Sequence, residues 1–374
     1  MTAIADRPTD EIALVTDLVA DQAGKWDTTG RLPEPLLREL GELGLLCAQV
    51  STEHGGLGMS SLRNGELTAS VGSLCGSLRS VQTSHGMAAW SIQRLADPGQ
   101  RESFLRPLTS GTLAAVGFSE PAAGSDLSAI RTRIHRDGDQ VVVDGRKMWV
   151  TGAGYADLLV IVGRYGDHAA AVVVPTATPG VRIDRVADPV GCRAAGHADV
   201  RLDGVRLPAR NVLGGGAPLP LLVTTALSYG RLSIAWGCVG ILRACLAAAT
   251  SHATTRRQSG KPLAEHQLVA RHLAELLVAE QIATRQCEHA SRAWDAGDPD
   301  TAVTAVLAKH VSAEQATRGA ATAMQVLASA GATDGHVVAR AHRDAKLMKI
   351  IEGTDEICQL VLADHAIARS RRTR

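Results

Sequence analysis

Aromatic side chains are scarce, with five Trp, three Tyr and two Phe in 374 residues. A core of this size must be built mainly from aliphatic side chains and alanine, so each indole is a candidate surface on which a planar group could stack. Net charge is nearly absent too: 39 Lys and Arg stand against 38 Asp and Glu. The resulting +1 gives no long-range field to gather nucleic acid or an anionic membrane, so any anion must be held by local groups. There is no Cys-x-x-Cys pair. The seven cysteines (47, 75, 192, 238, 245, 287 and 358) are odd in number and scattered, which argues against a disulfide framework or a zinc site and for small buried apolar residues. The longest apolar run, Ile234 to Ala249, contains Arg243 and is too short for a bilayer span, so it reads as a buried helix. Met1 to Asp10 carries acids and lacks the basic and apolar regions of a secretory signal, which makes a cytoplasmic protein the expectation.

What is present is enough apolar material, 45% of residues, for a large core divided among two or three domains. Apolar spacing predicts helices over 11–26, 35–46, 66–95 and 99–108, with Pro98 as a stop and EHGGLGM (53–59) as a break. Short β-branched runs follow at 140–143, 158–162, 170–174, 181–186 and 200–207, the last folded around an Asp203-Gly204 turn. Long helical stretches resume at 221–254, 264–296, 300–330 and 355–370. The expectation is an α+β chain: an N-terminal helical domain (1–112), a middle antiparallel β-domain (113–213) and a C-terminal four-helix bundle (214–374).

Three segments could carry chemistry. FSEPAAGSD (118–126) is a turn-rich loop whose hydroxyls and amides can bind a phosphate or a flavin edge, although singly it reads more readily as a capped Pro-Gly turn. KMWVT (147–151) ends a strand hairpin and sets an indole and a hydroxyl two residues apart on one side, a wall and a donor suited to a flavin; an isolated W-x-T is more often core. RDAKLMKIIEGTDE (343–356) is a helical pattern broken at Glu352-Gly353-Thr354. Gly353 permits the turn, Thr354 and Asp355 can cap a new helix, and Glu352 is displayed at the break. Flanking Ile350 and Ile351 would desolvate that carboxylate and raise its pKa towards the range of a general base, while the bland alternative is a solvated glutamate near a helix start.

Taken in order with YGRLSIAWG (229–237), TRRQSGKPLAEHQ (255–267) and the region of Gln325, these segments resemble the acyl-CoA dehydrogenases over nearly the whole chain. The resemblance implies FAD as cofactor and no metal, with Phe118, Ser119, Trp149, Val150 and Thr151 around the flavin ring and Thr151 near N5. Ser125 would lie by the pyrophosphate and the substrate's pantetheine arm. Arg256, His266, Gln267 and Gln325 would hold the distal FAD of a neighbouring subunit in a homo-oligomeric dimer or tetramer. Gly353, Thr354 and Glu356 would cross the ribityl and phosphate region, and Ser125, Arg231 and Gly353 would meet substrate. Glu352 takes the place of the catalytic base. The alternative place for a base, beside Arg231, holds Gly230.

Departures from the family pattern are Ser259 in place of an aromatic, Ala328-Ser329 in place of a Gly-Gly pair, and Ser228 where many members carry an Asp on the CoA side. VGSLCGSLRSVQTSHGMAAW (71–90), GCRAAGHADVRLDGVRLP (191–208) and YGRLSIAWGCVGILRAC (229–245) are similar to a narrower group, the dehydrogenases of methoxymalonyl-ACP extender-unit biosynthesis in macrolide pathways of the ascomycin type. That likeness implies oxidation of a glyceryl-type acyl carrier protein thioester towards hydroxymalonyl-ACP, with electron-transferring flavoprotein or oxygen as acceptor. The alternatives are a catabolic short- or branched-chain acyl-CoA dehydrogenase and a non-catalytic FAD-binding relative.

Overall fold

The computed structural model describes residues 10–372, so the segment 1–9, on which the leader expectation rests, lies outside the described residues. Six helices come first: α1 (Asp10–Val19), α2 (Ala23–Thr29), α3 (Glu34–Glu42), α4 (Ser61–Leu74), α5 (Gly76–Leu95) and α6 (Pro98–Leu108). The helix expected over 11–26 is two, because Ala20 adopts a left-handed φ of 43° and turns the chain so that Val15, Val19 and Trp26 all reach the core. The stretch 66–95 also divides. Cys75 is extended there, its amide closes α4 on Val71 and its sulfur accepts from Leu78 N at the start of α5. Pro98 starts a helix rather than stopping one: it fills the first turn of α6, where a missing N–H costs nothing, behind a reciprocal Asp97–Gln100 capping box.

The middle of the chain is one seven-stranded sheet: β1 (Ala114–Gly117), β2 (Arg133–Asp137), β3 (Gln140–Val150), β4 (Leu158–Tyr165), β5 (His168–Pro175), β6 (Val181–Arg185) and β7 (Ala198–Pro208). Its order is β1-β4-β2-β3-β7-β6, with β5 on the side of β4. Four pairings are antiparallel, as expected, while β1 and β2 each run parallel to β4. Neither β1, with two alanines and a glycine, nor β2, with one buried residue in five, shows a strand pattern in sequence. Asp203-Gly204 is not a hairpin turn. It is a bulge inside the continuous β7: one extra residue shifts the register between Val143/Val205 and Gly145/Leu202, with Gly204 at φ 58°. Both bulge residues face solvent, and Val200, Leu202, Val205 and Leu207 therefore stay buried on either side of it.

Five helices complete the chain: α7 (Leu219–Thr255), α8 (Gln267–Asp295), α9 (Thr301–Leu327), α10 (Val337–Met348) and α11 (Asp355–Arg372). The bundle thus gains α10 in addition to the four expected helices. By length and hydropathy α7 could cross a membrane, but 72% of its apolar window is buried against other helices, which makes it the core helix expected from its 234–249 run. It lies very close to α4, since a Cβ at Gly240 would come within 2.1 Å of the Ala69 carbonyl oxygen. Between α7 and α8 a hairpin of β8 (Arg257–Gln258) and β9 (Lys261–Pro262) turns through Ser259 and Gly260, both left-handed, as a two-residue turn requires. All seven cysteines are buried and free.

Candidate active site

The 118–126 loop is fastened to β3 by a buried ion pair. Lys147, with no exposed side-chain surface, donates from Nζ to Glu120 Oε1 at 2.7 Å and to the Phe118 carbonyl at 2.9 Å. Glu120 also accepts from Arg131 N, Thr132 N and Thr132 Oγ1 at 2.6–3.0 Å. Burial alone would raise the Glu120 carboxyl, yet these hydrogen bonds hold it below its usual value, while burial pushes the Lys147 ammonium down to about 8. Met148 N donates to the Ser119 carbonyl at 2.8 Å. Phe118 and Ser119 thereby lie alongside the strand that carries Trp149 and runs out into Thr151, whereas Ser125 is exposed farther along the loop.

Regular strand alternation does not produce the display of Trp149. The residue is left-handed at φ 54° within a bulge between Lys147 and Val150, which turns its indole outward, 51% exposed. Val150 points into the sheet core, 2% exposed, and offers a ligand only its backbone. Trp149 and Thr151 converge on His197, a residue that sequence reasoning did not single out. The two ring centroids are 5.7 Å apart, and Thr151 Oγ1 lies 3.1 Å from His197 Nδ1.

On the helical side, Glu352 stands between α10 and α11 with a left-handed φ of 54°, followed by Gly353 at 99°. Thr354 Oγ1 accepts from Ile357 N at 3.4 Å and so caps α11. Two cations clamp this turn through backbone oxygens. Arg231 Nε donates to the Glu352 carbonyl at 3.0 Å, and buried Lys309 donates to the Gly353 carbonyl at 2.6 Å. The Glu352 carboxylate has no hydrogen-bond or ion-pair partner among the described residues. Burial pushes its pKa up to about 7, with Arg231, Lys309 and Arg79 pulling weakly the other way.

The apolar wall differs from the expected one, because Ile350 is 48% exposed and Ile351 is packed towards the bundle core. Gly230 and Met87 face the carboxylate instead: a Cβ at Gly230 would meet Glu352 Oε2 at 3.0 Å and Met87 Sδ at 2.7 Å. Gly230 thus leaves room for the carboxylate on the face of α7.

Met87 belongs to a small apolar cluster with Ala226, Leu227 and Tyr229, flanked by Phe118, Leu127, Trp90 and Trp294. This cluster joins the Phe118 side to the Glu352 side. Its far end is closed by three rings, with Trp90 4.8 Å from Trp294 and 6.2 Å from Tyr229 between centroids. A small void beside Tyr229 and Trp294 is lined also by Asn64, Gly65 and Trp236.

Arg256, Gln267 and Gln325 are exposed at the end of α7, the start of α8 and the end of α9, and part-buried His266, at the N-cap position of α8 without a side-chain cap bond, lies 3.2 Å from the Gln258 carbonyl. Glu356 is exposed in the first turn of α11, where a hydrogen bond from Thr354 holds its carboxyl below the usual value. Arg256, His266, Gln267 and Gln325 share no hydrogen bond with the residues around Trp149 and Glu352 among the described residues.

Sequence models of the acyl-CoA dehydrogenase N-terminal, middle and C-terminal domains match residues 12–112, 115–205 and 221–367. The chain belongs to the acyl-CoA dehydrogenase family. A probable acyl-CoA dehydrogenase of Bacillus subtilis, YngJ, is 34% identical over 92% of this chain and 93% of its own. Among solved structures, FkbI, described as serving biosynthesis of the methoxymalonyl extender unit of the FK520 polyketide immunosuppressant, is 63% identical with a TM-score of 0.92, covering 96% of this chain and 99% of its own. A glutaryl-CoA dehydrogenase from Mycobacterium smegmatis in complex with FADH2 is 26% identical with a TM-score of 0.90, covering 96% and 93%.

Members of the family bind FAD, and the side chains beside Trp149 are of a kind that suits a flavin. In a protein short of aromatics, an indole held outward by a strained backbone offers a planar apolar wall beside the Thr151 hydroxyl. Two residues sequence reasoning missed, Lys147 and Lys309, left no signal, because a buried lysine looks in sequence like a solvated one.

Proposed function

We propose that this dehydrogenase binds FAD noncovalently in the cytoplasm and oxidises a short acyl thioester, a glyceryl group on an acyl carrier protein, in the supply of a hydroxymalonyl and then methoxymalonyl extender unit. The observation that carries the reaction type is the Glu352 carboxylate, free of partners and raised to about 7, on a turn whose carbonyls are held by Arg231 and Lys309. Bound FAD supplies a two-electron acceptor for hydride. The thioester carbonyl acidifies the C2 hydrogen, and Glu352 takes it as a proton while the C3 hydrogen leaves with two electrons. The product, a dihydroxyacryloyl thioester, is an enol that tautomerises to the hydroxy-aldehyde. Reaching the carboxylate needs water and a second two-electron oxidation. Likeness to FkbI supports the extender-unit setting, and Ser228 in place of an acid on the CoA side supports carriage on a protein.

Mixing the yellow holoprotein with glyceryl-ACP should bleach the flavin faster than the same acyl group on CoA. Faster bleaching by CoA esters of simple fatty acids would make it a catabolic dehydrogenase instead, and a colourless chain that takes up no FAD would end both readings. Electron-transferring flavoprotein and oxygen are then tested as acceptors by which of them restores the colour.

The three rings packed at one end of the apolar cluster support a short acyl group. One methylene against a filled pocket is worth about 10-fold to 200-fold in selectivity. Trp90→Ala should therefore raise the kcat/KM ratio of hexanoyl to glyceryl thioester by roughly 10-fold or more, and an unchanged ratio would place the acyl end elsewhere.

The chain works as a homo-oligomer in this reading. Exposed Leu268, Leu277, Val278 and Ile282 give α8 an uncovered apolar surface, and Arg256 and Gln325 are exposed at the ends of α7 and α9. Light scattering of the holoenzyme should give a dimer or tetramer. A fully active monomer would contradict this assembly.

A further inference from the structure

His197 stands immediately before β7, 9% exposed, and takes no part in the proton and hydride transfers assigned to Glu352 and FAD. Its Nδ1 is 3.1 Å from Thr151 Oγ1, while its Nε2 is buried without a hydrogen-bond partner among the described residues. Burial pushes the imidazole down to about 4, and the nearby Arg79 guanidinium acts in the same direction, so the ring is neutral and carries one N–H. The choice of tautomer then fixes the direction of the bond to Thr151. With the proton on Nε2, a buried N–H would be left orphaned and Nδ1 would take the proton of Thr151. With the proton on Nδ1, only a lone pair is left bare, and the ring donates to Thr151 Oγ1. Orphaned buried N–H groups are the rarer of the two.

We infer that His197 is a positioning residue: its Nδ1–H donates to Thr151 Oγ1 and so turns the threonine proton away from the imidazole, ready to be given to the flavin edge beside Trp149. This rests on the FAD reading above. Thr151 Oγ1 makes no other hydrogen bond among the described residues, so without His197 its proton is free to rotate. An oxidised flavin accepts hydrogen bonds at N5, which makes an aimed hydroxyl proton useful there. The Trp149 ring, tilted 51° to the imidazole, keeps indole, hydroxyl and imidazole in one arrangement.

The test is a double-mutant cycle on the holoprotein, read by the visible absorption band of the bound flavin and by its reduction rate. His197→Leu should retain FAD, shift the flavin band as Thr151→Val does, and slow reduction by about fivefold to tenfold, the worth of one hydrogen bond. In a Thr151→Val background His197→Leu should then change nothing further. His197→Asn, whose amide can donate from near the Nδ1 position, should return the band and rate towards wild type. Additive effects in the double variant, or a His197→Leu protein with the wild-type band and rate, would overturn the inference while leaving the FAD reading intact. A chain that holds no FAD would overturn both.

Discussion

Glu352→Gln should bind FAD and fold as the wild type does, yet lose about 100-fold to 10,000-fold in the rate at which substrate reduces the flavin, the usual cost of deleting a general base. The amide keeps the side chain's volume over Gly230 and Met87. Arg231 and Lys309 hold the turn through main-chain carbonyls, which the substitution leaves in place. Only the capacity to accept a proton is lost. Because burial pushes the carboxyl up to about 7, wild-type reduction should rise with pH through that value as the carboxylate forms, and the residual rate of the variant should be flat there. Deuterium at either C2 or C3 of the glyceryl group should slow the wild type, since both hydrogens leave. Stopped-flow absorbance checks all three points, and a glutamine variant that reduces its flavin at the wild-type rate would remove Glu352 from the mechanism.

Local punctuation made the Glu352 turn legible in the sequence. The Glu-Gly-Thr-Asp run carries its own break, its left-handed glycine and its new cap, and the structure has all three where the pattern puts them. What desolvates the carboxylate was not legible. The two flanking isoleucines were the only apolar neighbours in sequence, whereas Met87 and Gly230 come from helices more than a hundred residues away and meet only by tertiary packing. Trp149 shows a related limit. Strand alternation predicts that Trp149 and Thr151 share one side, but a bulge and a left-handed backbone turn the indole outward, and nothing in K-M-W-V-T announces a bulge. β2 reads as a polar loop because four of its five residues are exposed, and its identity as a strand comes from pairing with β3 and β4. The Asp203-Gly204 pair misleads in the opposite direction, since the same left-handed glycine serves a bulge as well as a turn. Arg256, Gln267 and Gln325 are exposed, and no pattern in their own segments says what they would hold.

Lys147→Met should cost more stability than any other single change at the cleft, about 3 to 5 kcal/mol, because it leaves the Glu120 carboxylate buried without its cation. Lys147 is fully buried and Glu120 is 7% exposed, so water cannot replace the lost partner. The carboxylate keeps its donors from Arg131 and Thr132, which satisfy its lone pairs without neutralising its charge. For a chain of this size the loss corresponds to a fall of about 4 to 6 °C in Tm. The position of the damage adds a functional effect. The same ammonium holds the Phe118 carbonyl, so the loop beside β3 loosens at the point where Phe118 enters the apolar cup. FAD affinity should therefore fall together with stability, and saturating FAD should recover part of the lost Tm by binding only the folded state. Adding Glu120→Gln to Lys147→Met should restore some stability, because the amide can still accept from Thr132 without leaving a charge buried. Thermal unfolding of the two single variants and the double variant, with and without added FAD, checks this. If Lys147→Met melts within a degree or two of the wild type, the ion pair does not hold the loop, and the anchoring of Phe118 must come from elsewhere in the sheet.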